Sequence, residues 1–309
     1  RATSATGVPA NAKYYPTVDR FAMEVNGTDG RLTMTQEAIT DLPGFNNAIK
    51  LDCTTADTSI AAAEYGAFTY IVEAQDCQRM RKGHSDAKAV TLSFYVKGTA
   101  KTYLIEMQDG DNNRHNTQQF SVTSDWNRVV LTFAADTTGK INDDTGQGLI
   151  IHLWFHGGSS YTGGTYTANT WASTTTNKRA AGIGSFFSST DNEFFITGVQ
   201  LEVGEVATTF EDEEVGVTLA RCQRYYSKVE YSNWSGKCES GQTYYVHDGL
   251  RQTMRAAPSA SILSQSQAHF PTSRSFGDIT VEGVGTGVAA SATDNGGYWY
   301  TGIALDAEL

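Results

Sequence analysis

Cysteine, proline and long apolar runs are all scarce in this chain. Only four cysteines occur: Cys53, Cys77, Cys222 and Cys238. None stands in a CxxC pair and none has histidine at zinc-ligand spacing, which excludes the common zinc modules. A chain of 309 residues can bury a core without covalent staples, so the thiols are expected to be free and mostly buried. No apolar run approaches the ~20 residues of a helical membrane span. No secretory leader is visible, and the chain starts at Arg1 rather than methionine, which implies processing or a longer parent chain. Positive charge is in the minority. With 23 Lys and Arg against 34 Asp and Glu, the net charge of −11 argues against nucleic acid as a partner.

Helical periodicity is rare as well, and what fills the chain is strand-like. RFAMEV (20–25) alternates, and a turn at Asn26-Gly27 leads to RLTMTQ (31–36). AIKLDC (48–53), AFTYIVEA (67–74) and VTLSFYVKG (90–98) follow, the last with Leu92, Phe94 and Val96 on one face. A hairpin at Gly98 is expected to lead into KTYLIEMQ (101–108). QQFSV (118–122), NRVVLTF (127–133), GLIIHLWFH (148–156) and FFITGVQLEV (194–203) complete the set. Short strands at this spacing, with one apolar face each, predict an antiparallel β-sandwich over residues 14–212. Residues 1–13 read as an arm or linker, docked on a neighbouring subunit or free.

The period changes near residue 212. Before it, Phe195, Val199, Leu201 and Val203 are expected on one strand face, with Gln200 and Glu202 opposite. After it, Val215, Leu219, Cys222 and Tyr226 form a helical stripe over 213–228. Asp212, Glu213 and Glu214 lead this helix and Arg221, Arg224 and Lys228 close it, matching its dipole, with Asp212 as N-cap. Residues 229–309 then read as a small β-rich domain. The fold class is therefore all-β, with a sandwich, a short connecting helix and a C-terminal β domain.

The junction ITGVQLEVGEVATTFEDEEVGVTLARCQRYYSK (196–228) resembles a module of tailed-bacteriophage structural proteins, especially tail fibres and other virion appendages. The resemblance rests on Thr197, Gly198, Val199, Gln200, Leu201, Glu202, Gly204, Ala207, Thr208, Phe210 and Glu211. It continues through Leu219, Ala220, Cys222, Gln223, Arg224, Tyr225 and Tyr226. PTVDRF (16–21), LSFYVKG (92–98), TMRAAPS (253–259) and LDAEL (305–309) fit the same group. The run Asp212-Glu213-Glu214 departs from its usual, more basic continuation. The resemblance implies a carbohydrate-binding-module-like jelly roll in a virion protein that works as a homotrimer. Its partners would be other virion proteins and a host-surface glycan, with neither nucleic acid nor membrane insertion. A head decoration or connector protein without ligand, and a glycan-degrading enzyme, are the alternatives. No catalytic motif is present, and the expectation is a protein that is not an enzyme.

Three groups of residues are candidates for a site. In GLIIHLWFH, Leu149, Ile151, Leu153 and Phe155 share one face, and Ile150, His152, Trp154 and His156 the other. His152, Trp154 and His156, with Tyr161, Tyr166 and Trp171 from the adjoining loop, form a candidate sugar platform. The same side chains would equally be a second apolar face covered by that loop. His152 and His156 lie about 13 Å apart on a strand, too far to share an ion. Asp109, Asp111 and Asn112 have Ca²⁺-like spacing, which would suit a structural Ca²⁺. They lack the later Gly and Glu of an EF-hand loop and read equally as an Asp-Gly turn. Leu219, Cys222, Tyr225 and Tyr226 are candidate subunit-interface residues, where helices of several chains would meet. The basic loop at Arg79, Arg81, Lys82 and His84 is either solvated or faces an acidic neighbour.

Overall fold

The structure, a computed structural model, describes residues 2–8 and 12–309. It divides into two compact units, Arg1–Asp212 and Glu213–Leu309. The first is built on β1 (Phe21–Asn26), β2 (Arg31–Ala38), β3 (Asn47–Thr55), β4 (Tyr65–Glu73) and β5 (Val90–Gly98). These are followed by β6 (Lys101–Asp109), β7 (Arg114–Val122), β8 (Asn127–Phe133), β9 (Gln147–Gly157) and β10 (Glu193–Val203). A six-stranded sheet runs Ser4–Ala5, β2, β3, β10, β5, β8. A seven-stranded sheet runs Ala172–Ser173, β7, β6, β9, β4, β1, Ala12–Tyr14. All strand pairings between them are antiparallel, and the unit is a jelly-roll β-sandwich.

The core lies between the sheets, where period-2 alternation puts it. Leu92, Phe94 and Val96 face Leu149, Ile151, Leu153 and Phe155 within one buried cluster. Each such side chain contributes roughly 1.5–3 kcal/mol. None of the four cysteines is in a disulfide, and Cys53, Cys77 and Cys238 are buried. No helix among the described residues is long and apolar enough to cross a membrane.

Four expectations are corrected here. Gly98 opens no hairpin, because β5 and β6 belong to different sheets and the chain crosses between them. A Cβ at Gly98, which has φ +151°, would lie 2.3 Å from Glu193 O of β10, so only glycine lets the chain leave there. The faces of β10 also switch midway. Phe194 and Ile196 enter the core before a bulge between Thr197 and Gln200, and Val199 and Leu201 pack on it afterwards. Gly198, at φ +59°, absorbs the extra residue under the ring of Phe45. The described part of the arm is bound to its own sandwich: Ser4 and Ala5 pair with Thr35 and Met34, and Val8 is buried. The rest of the expected arm falls partly outside the described residues.

The helix is the fourth. α1 spans Val215–Gln223 with Glu214, not Asp212, as N-cap. Glu213 instead pairs with Arg221 at 3.0 Å and accepts from Thr218 Oγ1. The helix ends before Tyr225, whose carbonyl accepts the N–H of Ala307, and Tyr226 already belongs to the next strand. Tyr226 therefore leaves the expected helical stripe.

The second unit contains β11 (Tyr226–Cys238), β12 (Thr243–Gly249), β13 (Ser259–Ala268), β14 (Gly283–Ala289) and β15 (Asp294–Asp306). One three-stranded sheet runs β11-β15-β13; the other runs β12, β14, Ser275–Gly277. Three stretches that carry the sequence resemblance meet in it. Arg255 Nε donates to Ala307 O at 2.9 Å, and its backbone N–H donates to Arg224 O at 2.8 Å.

The junction strand grips its own continuation. Gln200 Oε1 accepts the N–H of Glu211, and Glu202 accepts both the N–H and the hydroxyl of Thr208. Phe210 packs on Phe45 with ring centroids 5.2 Å apart. Gln200 and Glu202 thus fasten the chain's own exit from the sandwich.

Candidate functional site

Strand β9 presents the two faces expected of it, but neither is open. Trp154 is 1% exposed, His152 6% and His156 0%. The loop over residues 158–184 covers Trp154, while Glu64, Ser185 and Phe187 enclose His156. Tyr161 and Tyr65 pack on Trp154 at centroid distances of 5.3 and 5.9 Å, and the Arg179 guanidinium lies 5.0 Å from its ring centroid. Ala180 and Ile183 complete the cover. A sugar ring has no access to these residues, so His152, Trp154 and His156 are not a platform. The loop aromatics are engaged too. Tyr166 Oη accepts the N–H of Gln119, and Trp171 Nε1 donates to Ala134 O.

Under the loop lies a buried carboxylate, Glu106, on the same sheet. It accepts from Trp154 Nε1 at 2.9 Å, His115 Nδ1 at 2.8 Å and Arg179 Nε at 3.0 Å. Burial alone would raise its pKa. The His115 hydrogen bond, with the charges of Arg179 and His152, outweighs burial and holds it at about 2. His152 is fixed by Thr69 Oγ1 at 2.9 Å and Gln108 Oε1 at 3.3 Å, and burial lowers its pKa. The network fastens the covering loop to the sheet.

The Ca²⁺ candidates are not a cation site. Asp109 Oδ1 accepts the backbone N–H groups of Asp111 and Asn112, the hydrogen bonding of an Asx turn. Asn112 turns its NH₂ toward Asp109, and a donor cannot ligate a cation. Asp111 accepts from Asn142. The positive charge is Lys82, whose buried Nζ bonds Asp109 and lies 3.0 Å from Asp136. Lys82 is thus neither solvated nor directed at a neighbouring molecule. Its ammonium also donates to Thr138 O and Gly139 O, and Arg114 forks onto Asp136.

Of the interface candidates, Leu219 is 52% exposed, Cys222 is half-buried and Tyr225 is buried. Tyr226 is half-buried on β11. The apolar surface of α1 that reaches solvent is Val215, Val217 and Leu219, so Tyr225 drops out as an interface residue.

An open aromatic face occurs on the β11-β15-β13 sheet. Alternation through GYWYTG (297–302) sends Trp299 inward, at 1% exposure, and Tyr298 and Tyr300 outward. Trp299 joins Trp234, Tyr244 and Phe270 in a small core. On the outer face, Tyr298 pairs with Ser235 and Ala268, and Tyr300 with Asn233 and Ser266. Tyr231 adds a third ring, 6.1 Å from Tyr300 and nearly perpendicular to it. These side chains border a shallow depression of about 310 Å³. Exposures of 68% for Tyr231 and 42% for Tyr298 leave their ring surfaces accessible. In the sequence this stretch is part of the β-rich block 229–309; the signal for its open face is two tyrosines flanking one tryptophan at period two.

No protein-family model and no curated protein matches the chain. Among solved structures, it is similar to the enzymatically active domain of bacteriophage CBA120 tailspike protein 4, at 12% identity and a TM-score of 0.34. That alignment covers 60% of this chain and 19% of the tailspike chain. A family 11 carbohydrate-binding module of a cellulosomal cellulase of Clostridium thermocellum aligns at 12% identity and a TM-score of 0.32, over 66% of this chain and 98% of that one. A tandem CBM22 domain from Paenibacillus barcinonensis aligns at 8% identity and 0.29, over 93% and 91%.

Proposed function

We propose that this chain is a glycan-binding attachment protein of a tailed-phage virion, working without catalysis. The observation that carries the reading is the open face bearing Tyr231, Tyr298 and Tyr300 between Asn233, Ser235 and Ser266. A pyranose offers an apolar C–H face and a rim of hydroxyls. Tyrosine rings with small amide and hydroxyl neighbours match both. The junction's resemblance to virion appendages supplies the biological setting, a fibre or related appendage acting as a homotrimer. Three copies of a weak site would then bind a repeating polysaccharide by avidity. The exposed apolar residues of α1, Val215 and Leu219, fit a contact between such copies. A non-catalytic reading suits the sandwich, where Glu106 is enclosed and hydrogen-bonded on both oxygens.

The test is a glycan array with the purified chain, followed by incubation with the polysaccharide it selects. Saturable binding without released oligosaccharide is expected. Binding to no glycan, or release of fragments, contradicts the proposal. Light scattering addresses the assembly: a trimer is expected, and a monomer at micromolar concentration contradicts that part.

A further inference from the structure

One buried cluster of the sandwich is left without a counter-charge. Asp57 follows β3, Glu64 precedes β4, and His156 lies near the end of β9, where it pairs with Gly66. One ligand atom from each of the three lies within 4.8 Å of the others. Exposures of 5%, 7% and 0% remove them from bulk water. Three other buried carboxylates of this unit have cations: Glu106 has Arg179, Asp109 has Lys82, and Asp136 has Lys82 and Arg114. Among the described residues, neither Asp57 nor Glu64 pairs with lysine or arginine. Among the described residues, their one ionisable neighbour of opposite sign is His156. Two buried carboxylates beside one imidazole form a donor set whose negative charge a bound cation would neutralise.

The geometry points to a divalent transition-metal site, of the zinc class, formed by Asp57, Glu64 and His156. The surrounding bonds hold the ligands as second partners do around such ions. Asp57 is oriented by Thr28 Oγ1 at 2.6 Å and by the N–H groups of Asp29 and Ser59. His156 Nδ1 sits 2.8 Å from Ser185 Oγ, an oxygen that also accepts the N–H of Phe187. In the tautomer that donates Nδ1–H to Ser185, Nε2 turns its lone pair toward Glu64 Oε2, 3.4 Å away. That is longer than a charge-assisted hydrogen bond of about 2.7–2.9 Å. It equals the spacing of two ligands on one tetrahedral ion, about 3.3 Å for bonds of ~2.0–2.1 Å. An imidazole nitrogen in the set favours zinc-like ions over Ca²⁺ and Mg²⁺, which take oxygen. The ion would clamp the β3–β4 connection to the end of β9, with a fourth position left to water.

The experiment is metal titration of the full chain after chelator treatment. Zn²⁺ is added, bound metal is measured by atomic emission, and affinity by calorimetry. One zinc per chain is expected, with a rise in Tm and, after Co²⁺ substitution, intense visible bands of a four- or five-coordinate ion. Glu64→Gln and His156→Gln, verified as folded by circular dichroism, are expected to weaken zinc at least ~10-fold. In the wild type, a zinc-induced shift of the His156 Nε2 resonance in ¹⁵N spectra reads ligation whether or not the variants fold. No stoichiometric zinc, an unmoved His156 resonance, undiminished affinity in both folded variants, or preference for Ca²⁺ overturns the proposal.

Discussion

Trp154 Nε1 donates a 2.9 Å hydrogen bond to Glu106 Oε2, so the tryptophan that looks like a ligand platform is held inside the protein by a buried carboxylate. The bond closes a circuit in which Arg179, from the covering loop, both pairs with Glu106 and stacks over Trp154. Replacing Glu106 by Gln leaves the guanidinium of Arg179 without its charge partner. The cost is expected to be roughly 3 kcal/mol in urea denaturation. A loss below ~0.5 kcal/mol would contradict the role given to this network.

The same carboxylate sets a pH dependence. The Glu106 pKa falls from an ordinary 4.5 to about 2 on folding, against burial and because of His115, Arg179 and His152. A depressed carboxylate contributes stability above its unfolded pKa and loses it as protons bind. Stability is therefore expected to fall between about pH 4.5 and pH 2, by about 3 kcal/mol at ~1.4 kcal/mol per pH unit. Glu106→Gln should flatten that window in denaturation curves taken at stepped pH.

Lys82 should behave as a structural cation. Lys82→Met leaves Asp109 and Asp136 with one fewer counter-charge in a buried place, at a cost of roughly 3–5 kcal/mol. Asp111→Ala removes only exposed bonds to Asn142 and should cost about 1 kcal/mol. Thermal denaturation of both variants separates a lysine-centred turn from a calcium loop, in which Asp111 would matter as much as Asp109.

Gly198 is predicted to be intolerant of side chains. Its φ of +59° and a Cβ position 2.8 Å from the Phe45 ring combine strain with a clash. Gly198→Ala should destabilise by roughly 1–3 kcal/mol. Chemical denaturation checks this, and an unchanged midpoint would mean the bulge relaxes freely.

Much of the sandwich was legible because its strands are buried on one face. Leu92, Phe94 and Val96, and the alternating Leu149 to Phe155, went to the core as period two requires. What failed was non-local. Nothing near Gly98 in sequence announces that the chain crosses to the other sheet, since Glu193 closes the space there. A single bulge at Gly198 inverted the faces of β10. The stripe of His152, Trp154 and His156 was real, but the cover of Trp154 comes from a loop whose fastening depends on Arg179 meeting Glu106, 73 residues away. Asp57, Glu64 and His156 share no spacing motif, because two stand on one connection and the third on a strand 92 residues beyond Glu64. Tyr298 and Tyr300 were readable by alternation; which face stays open follows from Trp299 packing into the small core on the other side.

The central claim is that recognition belongs to the tyrosine face and not to β9. Isothermal titration with an oligosaccharide bound by the wild type compares Tyr300→Ser with Trp154→Phe. The tyrosine variant is predicted to lose affinity about tenfold, ~1.4 kcal/mol, while the tryptophan variant, if folded, keeps wild-type affinity. Unchanged binding by Tyr300→Ser with a loss in folded Trp154→Phe would contradict the account.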